Sequence, residues 1–167
     1  MSLFKSSFNS PIGKIGLLAD EADLISLSFT DFNFIELEAK KTPDRFEHII
    51  LQLNQYFFEG RKSFDFKYKL QATDFQLKVY EEMLKIPYGK TISYSGLSNK
   101  IGKKKAFRAV GTANSSNPLP IIIPCHRVIS SNGSIGGYAY GLRMKKKLLE
   151  LEGHSLNETL VLNQNNQ

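Results

Sequence analysis

The 167-residue chain has one cysteine, Cys125, three histidines and no tryptophan. A lone cysteine excludes an internal disulfide framework and any Cys-rich zinc site. His48, His126 and His154 are dispersed and make no metal-ligand spacing. Neither a metal nor a cofactor is therefore expected. No apolar run approaches the ~18–20 residues that a bilayer span requires. The polar start, Met1 to Ser10, has no apolar stretch behind a basic one, so no signal peptide is read there. A cytoplasmic monomer without membrane contact is the expectation.

A further absence is confined to one stretch. From Lys85 to Lys147 there are twelve Lys or Arg and no Asp or Glu, so all sixteen acids lie outside it; the net charge is +6. A solvated basic face normally carries interspersed acids. Sixty-three residues free of carboxylate suit a phosphate backbone, because each neutralised phosphate releases counterions and a nearby carboxylate would repel it. Nucleic acid ranks ahead of a membrane or an acidic protein as partner.

The first thirty residues read as strands at Leu3 to Phe8, Lys14 to Ala19 and Leu24 to Phe29, separated by turn-forming residues. Thr42-Pro43 then reads as a helix start. Phe46, Ile49, Ile50, Leu53 and Phe57 fall on one face of that helix, which ends near Gly60. Residues 61 to 72 read as a strand or linker. Thr73-Asp74-Phe75-Gln76 fits a capping box, opening a helix to about Lys85 with Phe75, Val79 and Met83 inward. Helices over Tyr94 to Ile101 and Lys104 to Ser115, around Gly102 and in a basic context, suggest a helix-turn-helix. Ala106, Ala109, Val110 and Ala113 form the apolar side of the second, with Lys105, Arg108, Thr112 and Ser115 elsewhere. Leu142 to Glu152 is a last helix. The domains expected are 1–70, an α/β scaffold, and 71–157, mainly α, followed by a flexible tail, 158–167.

Ile121-Ile122-Ile123-Pro124-Cys125-His126-Arg127-Val128-Ile129 is the segment with chemistry. Its apolar run reads as a buried strand that Pro124 ends. A free thiol has a pKa of ~8.5 and needs a base or cation to become a thiolate at neutral pH. His126 is the obvious base. Neighbours in extended chain point to opposite faces, however, so relay through one water is more plausible than direct contact. Glu152 could orient the imidazole from its other nitrogen.

Asn117-Pro118, Pro124-Cys125-His126-Arg127-Val128, Gly136-Gly137-Tyr138 and Leu148-Leu149-Glu150-Leu151-Glu152-Gly153 occur here in one order and spacing. Phe75-Gln76-x-x-Val79, Ile86-Pro87-Tyr88-Gly89, Ser93-Tyr94 and Arg108-Ala109-Val110-Gly111 complete the set. From Thr73 to Gly153 the chain resembles the O6-alkylguanine-DNA alkyltransferases. The likeness is weaker in the N-terminal half, at Ser10-Pro11-Ile12-Gly13 and Tyr56-Phe57-x-x-Gly60.

The resemblance implies direct-reversal DNA repair: one irreversible transfer of the alkyl group from O6 of guanine in duplex DNA to Cys125, with O4-alkylthymine a second candidate substrate. It implies a small ribonuclease-H-like α/β domain followed by a mainly α, helix-turn-helix (winged-helix-like) domain. Cys125 would accept the alkyl group, His126 would deprotonate it through a water, and Glu152 would orient His126. Asn117 would hold the active-site turn. Tyr94 would donate towards the guanine leaving group and crowd the adjacent phosphate. Arg108 would fill the gap left by the extruded base. Gly111 and Ser115 would lie against DNA, the small residues of that helix permitting close approach. Val128, Ser131, Tyr138 and Ala139 would line the base pocket.

The chain departs from the family pattern in three places. Tyr80 stands where a Trp is usual. The zinc-binding residues of some relatives are absent. Tyr140 stands where some carry a small residue, so it should narrow the pocket against large substituents. No long N-terminal extension is present, so a fused transcription-regulatory module is not expected. Two competing readings remain. A non-catalytic helix-turn-helix DNA- or lesion-binding protein accounts for the basic stretch, but not for Cys125 framed by Asn117, Pro124, His126 and Glu152. A cysteine hydrolase keeps its His far away in sequence and has no use for an acid-free segment.

Overall fold

The computed structural model describes residues 2–30, 39–41 and 43–155; Thr42 and the tail 158–167 lie outside them. The chain divides between Gln71 and Ala72 into two compact units.

In the first unit, β1 (Leu3–Ser10) and β2 (Gly13–Ala19) form an antiparallel hairpin, extended by β3 (Leu24–Ser28) antiparallel to β2. The hairpin turns at Gly13, whose φ of 121° only glycine adopts freely. The fourth strand, β4 (Ala39–Lys41), pairs parallel with β1, giving the order β3-β2-β1-β4. Ile15, Leu17, Leu18 and Ala19 are buried along β2. Burial on successive positions, rather than alternation, is what a strand covered on both faces shows. A 3-10 turn (Pro43–Phe46) leads into α1 (Glu47–Glu59), capped by Gly60 in the left-handed region at φ 70°. The helix buries Ile49, Leu53, Tyr56 and Phe57, while Ile50 is only half-buried, so its apolar face takes in Tyr56 and is turned slightly away from Ile50. Residues 61–72 form no strand; they contribute one isolated bridge, Leu24 to Tyr68.

In the second unit, α2 (Asp74–Leu84) starts with the capping box expected, Thr73 accepting from the Gln76 amide and Gln76 from the Thr73 amide. Val79, Tyr80 and Met83 face inward, while Phe75 is half-buried. The Tyr80 hydroxyl donates to the Ala113 carbonyl at 3.1 Å, so the residue standing in place of Trp fastens α2 to the following helices. A two-residue strand β5 (Ile92–Ser93) leads into α3 (Tyr94–Lys100), whose N-cap is Ser93, accepting from the Gly96 amide at 3.0 Å. Then come α4 (Phe107–Ser115), β6 (Val128–Ile129), parallel to β5, and α5 (Leu142–Leu151).

Two expectations need correction. The second helix of the pair begins at Phe107, not Lys104, and its buried side is Val110, Ala113 and Asn114; Ala109 is exposed. Ile121 to Ile123 is buried but is a turn, not a strand. Ile121 has a φ of 73°, a left-handed conformation that a β-branched residue strongly disfavours, and no ladder can continue through it.

Candidate active site

The turn is held by Asn117, whose amide donates to the Ile123 carbonyl at 2.7 Å while its carbonyl accepts from the Leu119 amide at 3.0 Å. These two bonds keep the segment folded back and offset the strain at Ile121, of order 1–3 kcal/mol. Pro124 (φ −81°, ψ 65°) then centres an inverse γ-turn, closed by the Cys125 amide to the Ile123 carbonyl at 2.8 Å. Cys125, His126 and Arg127 follow as a single 3-10 turn. Their side chains therefore radiate about a turn instead of alternating across a strand.

Cys125 is 3% exposed, and its Sγ lies 3.8 Å from the Tyr138 hydroxyl. Burial pushes the thiol pKa up, opposed by Asn117, by Tyr138 and by the Lys145 ammonium. The resting thiol thus needs a base. His126 is completely buried and its Nε2 stands 2.7 Å from Glu152 Oε1. Burial pushes the imidazole pKa down more strongly than Glu152 pulls it up, which leaves the ring neutral. With Nε2–H donated to the carboxylate, Nδ1 carries the lone pair, and this atom has no hydrogen-bond partner among the described residues. A buried imidazole with one nitrogen committed and the other free is a base ready for use.

Glu152 caps the end of α5 and gathers groups from two other segments, the 125–127 turn and Gly89. It accepts from His126, from Arg127 (Nε to Oε2 at 2.8 Å, Nη2 to Oε1 at 2.9 Å) and from the Gly89 amide at 3.1 Å. Burial pushes its pKa up, but the hydrogen bonds from His126 and Arg127 outweigh that and hold the carboxyl well below the usual range. Gly89 is required twice over: its φ is 73°, and a Cβ would lie 3.0 Å from the Glu152 carbonyl. Arg127 completes its fork on the Ile86 carbonyl at 2.7 Å.

Lys145 has no exposed surface and donates to the carbonyls of Val128 at 2.6 Å and Gly137 at 3.0 Å. Burial lowers its pKa to about 8, opposed by the charge of Cys125. The Tyr94 hydroxyl reaches the same Gly137 carbonyl at 3.4 Å, and burial raises its pKa, so it remains a proton donor. Asn114, buried on α4, donates to the Cys125 carbonyl at 3.4 Å and leaves its Oδ1 without a partner among the described residues.

Cys125, His126, Glu152, Asn117, Tyr94 and Tyr138 are thus placed around one centre. No Cys125–His126 hydrogen bond forms among the described residues. Val128 is wholly buried, and Ala139 is exposed. Ser131 lines a cleft of about 280 Å3 with Tyr94, Phe107, Gly111 and Ser130. Arg108 and Ser115 are exposed on α4, seven residues apart and so on a common face. Sequence reasoning gave Arg127, Lys145 and Asn114 no role. Arg127 sat inside the Pro-Cys-His-Arg-Val string and could have been suspected; Lys145 looked like one of three consecutive surface lysines.

Among the described residues no helix is long and apolar enough to cross a membrane. Two family models match: the 6-O-methylguanine DNA methyltransferase ribonuclease-like domain over residues 3–71 and the DNA-binding domain over residues 74–154. A methylated-DNA--protein-cysteine methyltransferase of Methanosarcina acetivorans is 42% identical over 161 residues, covering 90% of this chain and 99% of that one. The protein of the same name from Mycobacterium tuberculosis strain H37Rv is 41% identical over 148 residues, covering 87% and 90%. The crystal structure of Mycobacterium tuberculosis OGT in complex with DNA matches with a TM-score of 0.83 at 39% identity, over 89% of this chain and 92% of that one.

Proposed function

The chain belongs to the 6-O-methylguanine DNA methyltransferase family, and from that premise we propose that Cys125 is the residue to which it transfers the alkyl group of O6-alkylguanine in DNA. The observation that carries the assignment is the buried chain Glu152–His126, whose unpartnered Nδ1 belongs to the residue next to the only thiol. The protein is a self-alkylating DNA-repair methyltransferase and duplex DNA is its partner. A cytoplasmic monomer is part of the proposal, supported by a substrate of DNA and an acceptor that must stay a reduced thiol.

The target carbon lies in the base stack, and in-line attack requires extrusion of the nucleotide, at a cost of a few kcal/mol. Arg108, exposed on α4, enters the gap and offsets part of that cost. Gly111 and Ser115 lie along the duplex beside it. The extruded base is received by Ser131, Tyr138 and Ala139, with Val128 behind them. His126 Nδ1 takes the Cys125 proton through one bridging water, and the imidazolium is stabilised by Glu152. The Lys145 ammonium and the Asn117 amide favour the thiolate. Sulfur then attacks the alkyl carbon as the C–O6 bond breaks, and Tyr94 hydrogen-bonds the departing guanine. The product is a thioether that nothing in the site hydrolyses, so each molecule acts once. O4-alkylthymine presents an alkyl carbon to the same thiol and is a second substrate to assay.

Mass spectrometry after incubation with a duplex carrying one O6-methylguanine tests the proposal. A stoichiometric gain of one methyl group on Cys125, absent in Cys125→Ser, is expected. An unchanged mass with tighter binding of the lesion duplex than of undamaged DNA would leave lesion binding alone.

A further inference from the structure

Phe107, the first residue of α4, is 48% exposed. It immediately precedes Arg108 and lines the cleft of about 280 Å3 shared with Tyr94, Gly111, Ser130 and Ser131. An aromatic ring left in water at the edge of a cleft gives up the burial that usually places such a residue in a core. The same ring against a nucleobase or deoxyribose recovers it.

Gly111 supplies a second, independent observation. It lies four residues on from Phe107 and so on the same face of the helix. Its φ is not in the left-handed region, and a Cβ there would meet only the Tyr94 ring, at 4.0 Å. A helical glycine costs ~0.5–1 kcal/mol relative to alanine, and nothing among the described residues requires that cost. The bare surface beside the ring is therefore shaped for something outside the protein. Its charge is indicated as well. Exposed Lys103, Lys104 and Lys105 lead into the helix, within the stretch that lacks any carboxylate.

Resting on the function proposed above, we infer that Phe107 is an apolar wedge for DNA. In the complex its ring packs against the base pair beside the extruded nucleotide while Arg108 occupies the vacated position. Neighbouring helical residues point about 100° apart, so the two side chains address adjacent places in the duplex. The division of labour is chemical: the guanidinium can hydrogen-bond the orphaned base, and the ring covers a stacked face. Proteins that open or kink DNA from the minor groove commonly insert such apolar side chains between base steps.

The test compares wild type, Phe107→Ala and Phe107→Leu with two alkyl donors, a duplex bearing one O6-methylguanine and the free base O6-benzylguanine, which has no stack to open. The expected result is that Phe107→Ala lowers the duplex-to-free-base rate ratio about tenfold, the scale of one lost base–aromatic stack. Phe107→Leu restores part of it, and thermal unfolding of both variants matches wild type. A ratio equal to that of wild type in Phe107→Ala would overturn the wedge and leave the function standing. A wild-type dimer dissolved by Phe107→Ala, with the ratio unmoved, would assign the ring to a second copy of the chain and likewise overturn it. Wild-type protein that accepts no alkyl group from either donor would remove the function and the wedge together.

Discussion

Arg127 grips Glu152 side-on, with Nε and Nη2 each on a separate carboxylate oxygen at 2.8 and 2.9 Å, both residues being almost wholly buried. The pair fixes the carboxylate that orients His126. Lysine cannot reproduce a two-point fork, and breaking a buried pair leaves a charge without its partner. Arg127→Met, which leaves the buried carboxylate without its cation, is expected to lower stability by about 3 kcal/mol and to slow methyl transfer as well. Urea unfolding with transfer kinetics checks this; a stability within experimental error of wild type would refute the structural role.

Acid should weaken the fold. Glu152 is held below its unfolded pKa, so the stability it contributes is complete above pH ~4.3 and is lost as pH falls towards the folded value. His126 acts in the same direction: below pH ~6.5 the unfolded chain takes up a proton that the buried ring resists. The urea midpoint should fall below about pH 6.5 through His126, and further below about pH 4.3 as Glu152 is protonated. A midpoint that is flat or rising between about pH 6.5 and 4.5 would contradict the His126 assignment, and one that is flat below about pH 4.3 would contradict that of Glu152.

Gly111→Ala separates stability from DNA binding. The new methyl group fits the protein without contact closer than 4.0 Å, so thermal stability should rise by about 0.5–1 kcal/mol from helix propensity. Duplex affinity, measured by fluorescence anisotropy, should fall because the helix can no longer approach as closely. An alanine variant that is more stable and binds DNA as well as wild type would show that the surface does not face the duplex.

Tyr140 packs edge-on against Tyr138, ring centroids 5.8 Å apart, and Tyr138 reaches the Cys125 sulfur. Removing the second ring should open room for a large substituent. Tyr140→Gly is expected to accelerate reaction with benzylguanine relative to methylated DNA by about tenfold, within the range for steric selection in a pocket. Comparable relative rates in the variant and wild type would exclude Tyr140 as the limiting wall.

Local signals made much of the architecture legible. The Thr73–Gln76 box, the Gly60 cap and the Leu142–Leu151 helix each depend on neighbours within a few residues, and each was readable. The strand β4 was not, because its partner β1 lies more than thirty residues away. Three consecutive isoleucines looked like a strand by propensity, and two hydrogen bonds from Asn117 override that preference. Cys125, His126 and Glu152 were visible as residue types. The roles of Arg127 and Lys145 were hidden, since they rest on carbonyls and carboxylates remote in sequence.

The depth of Cys125 bears on what becomes of the molecule afterwards. A methyl group retained on a sulfur that is 3% exposed acts as an insertion into a packed interior, and one added carbon there destabilises by about 1–3 kcal/mol. The spent form is therefore expected to visit the unfolded state more often than the fresh one and to be preferentially cleared by proteases that act on open chains. On that expectation, lifetime in the cell would become a record of use, which a lower urea midpoint for the methylated than for the unmodified protein would bear out.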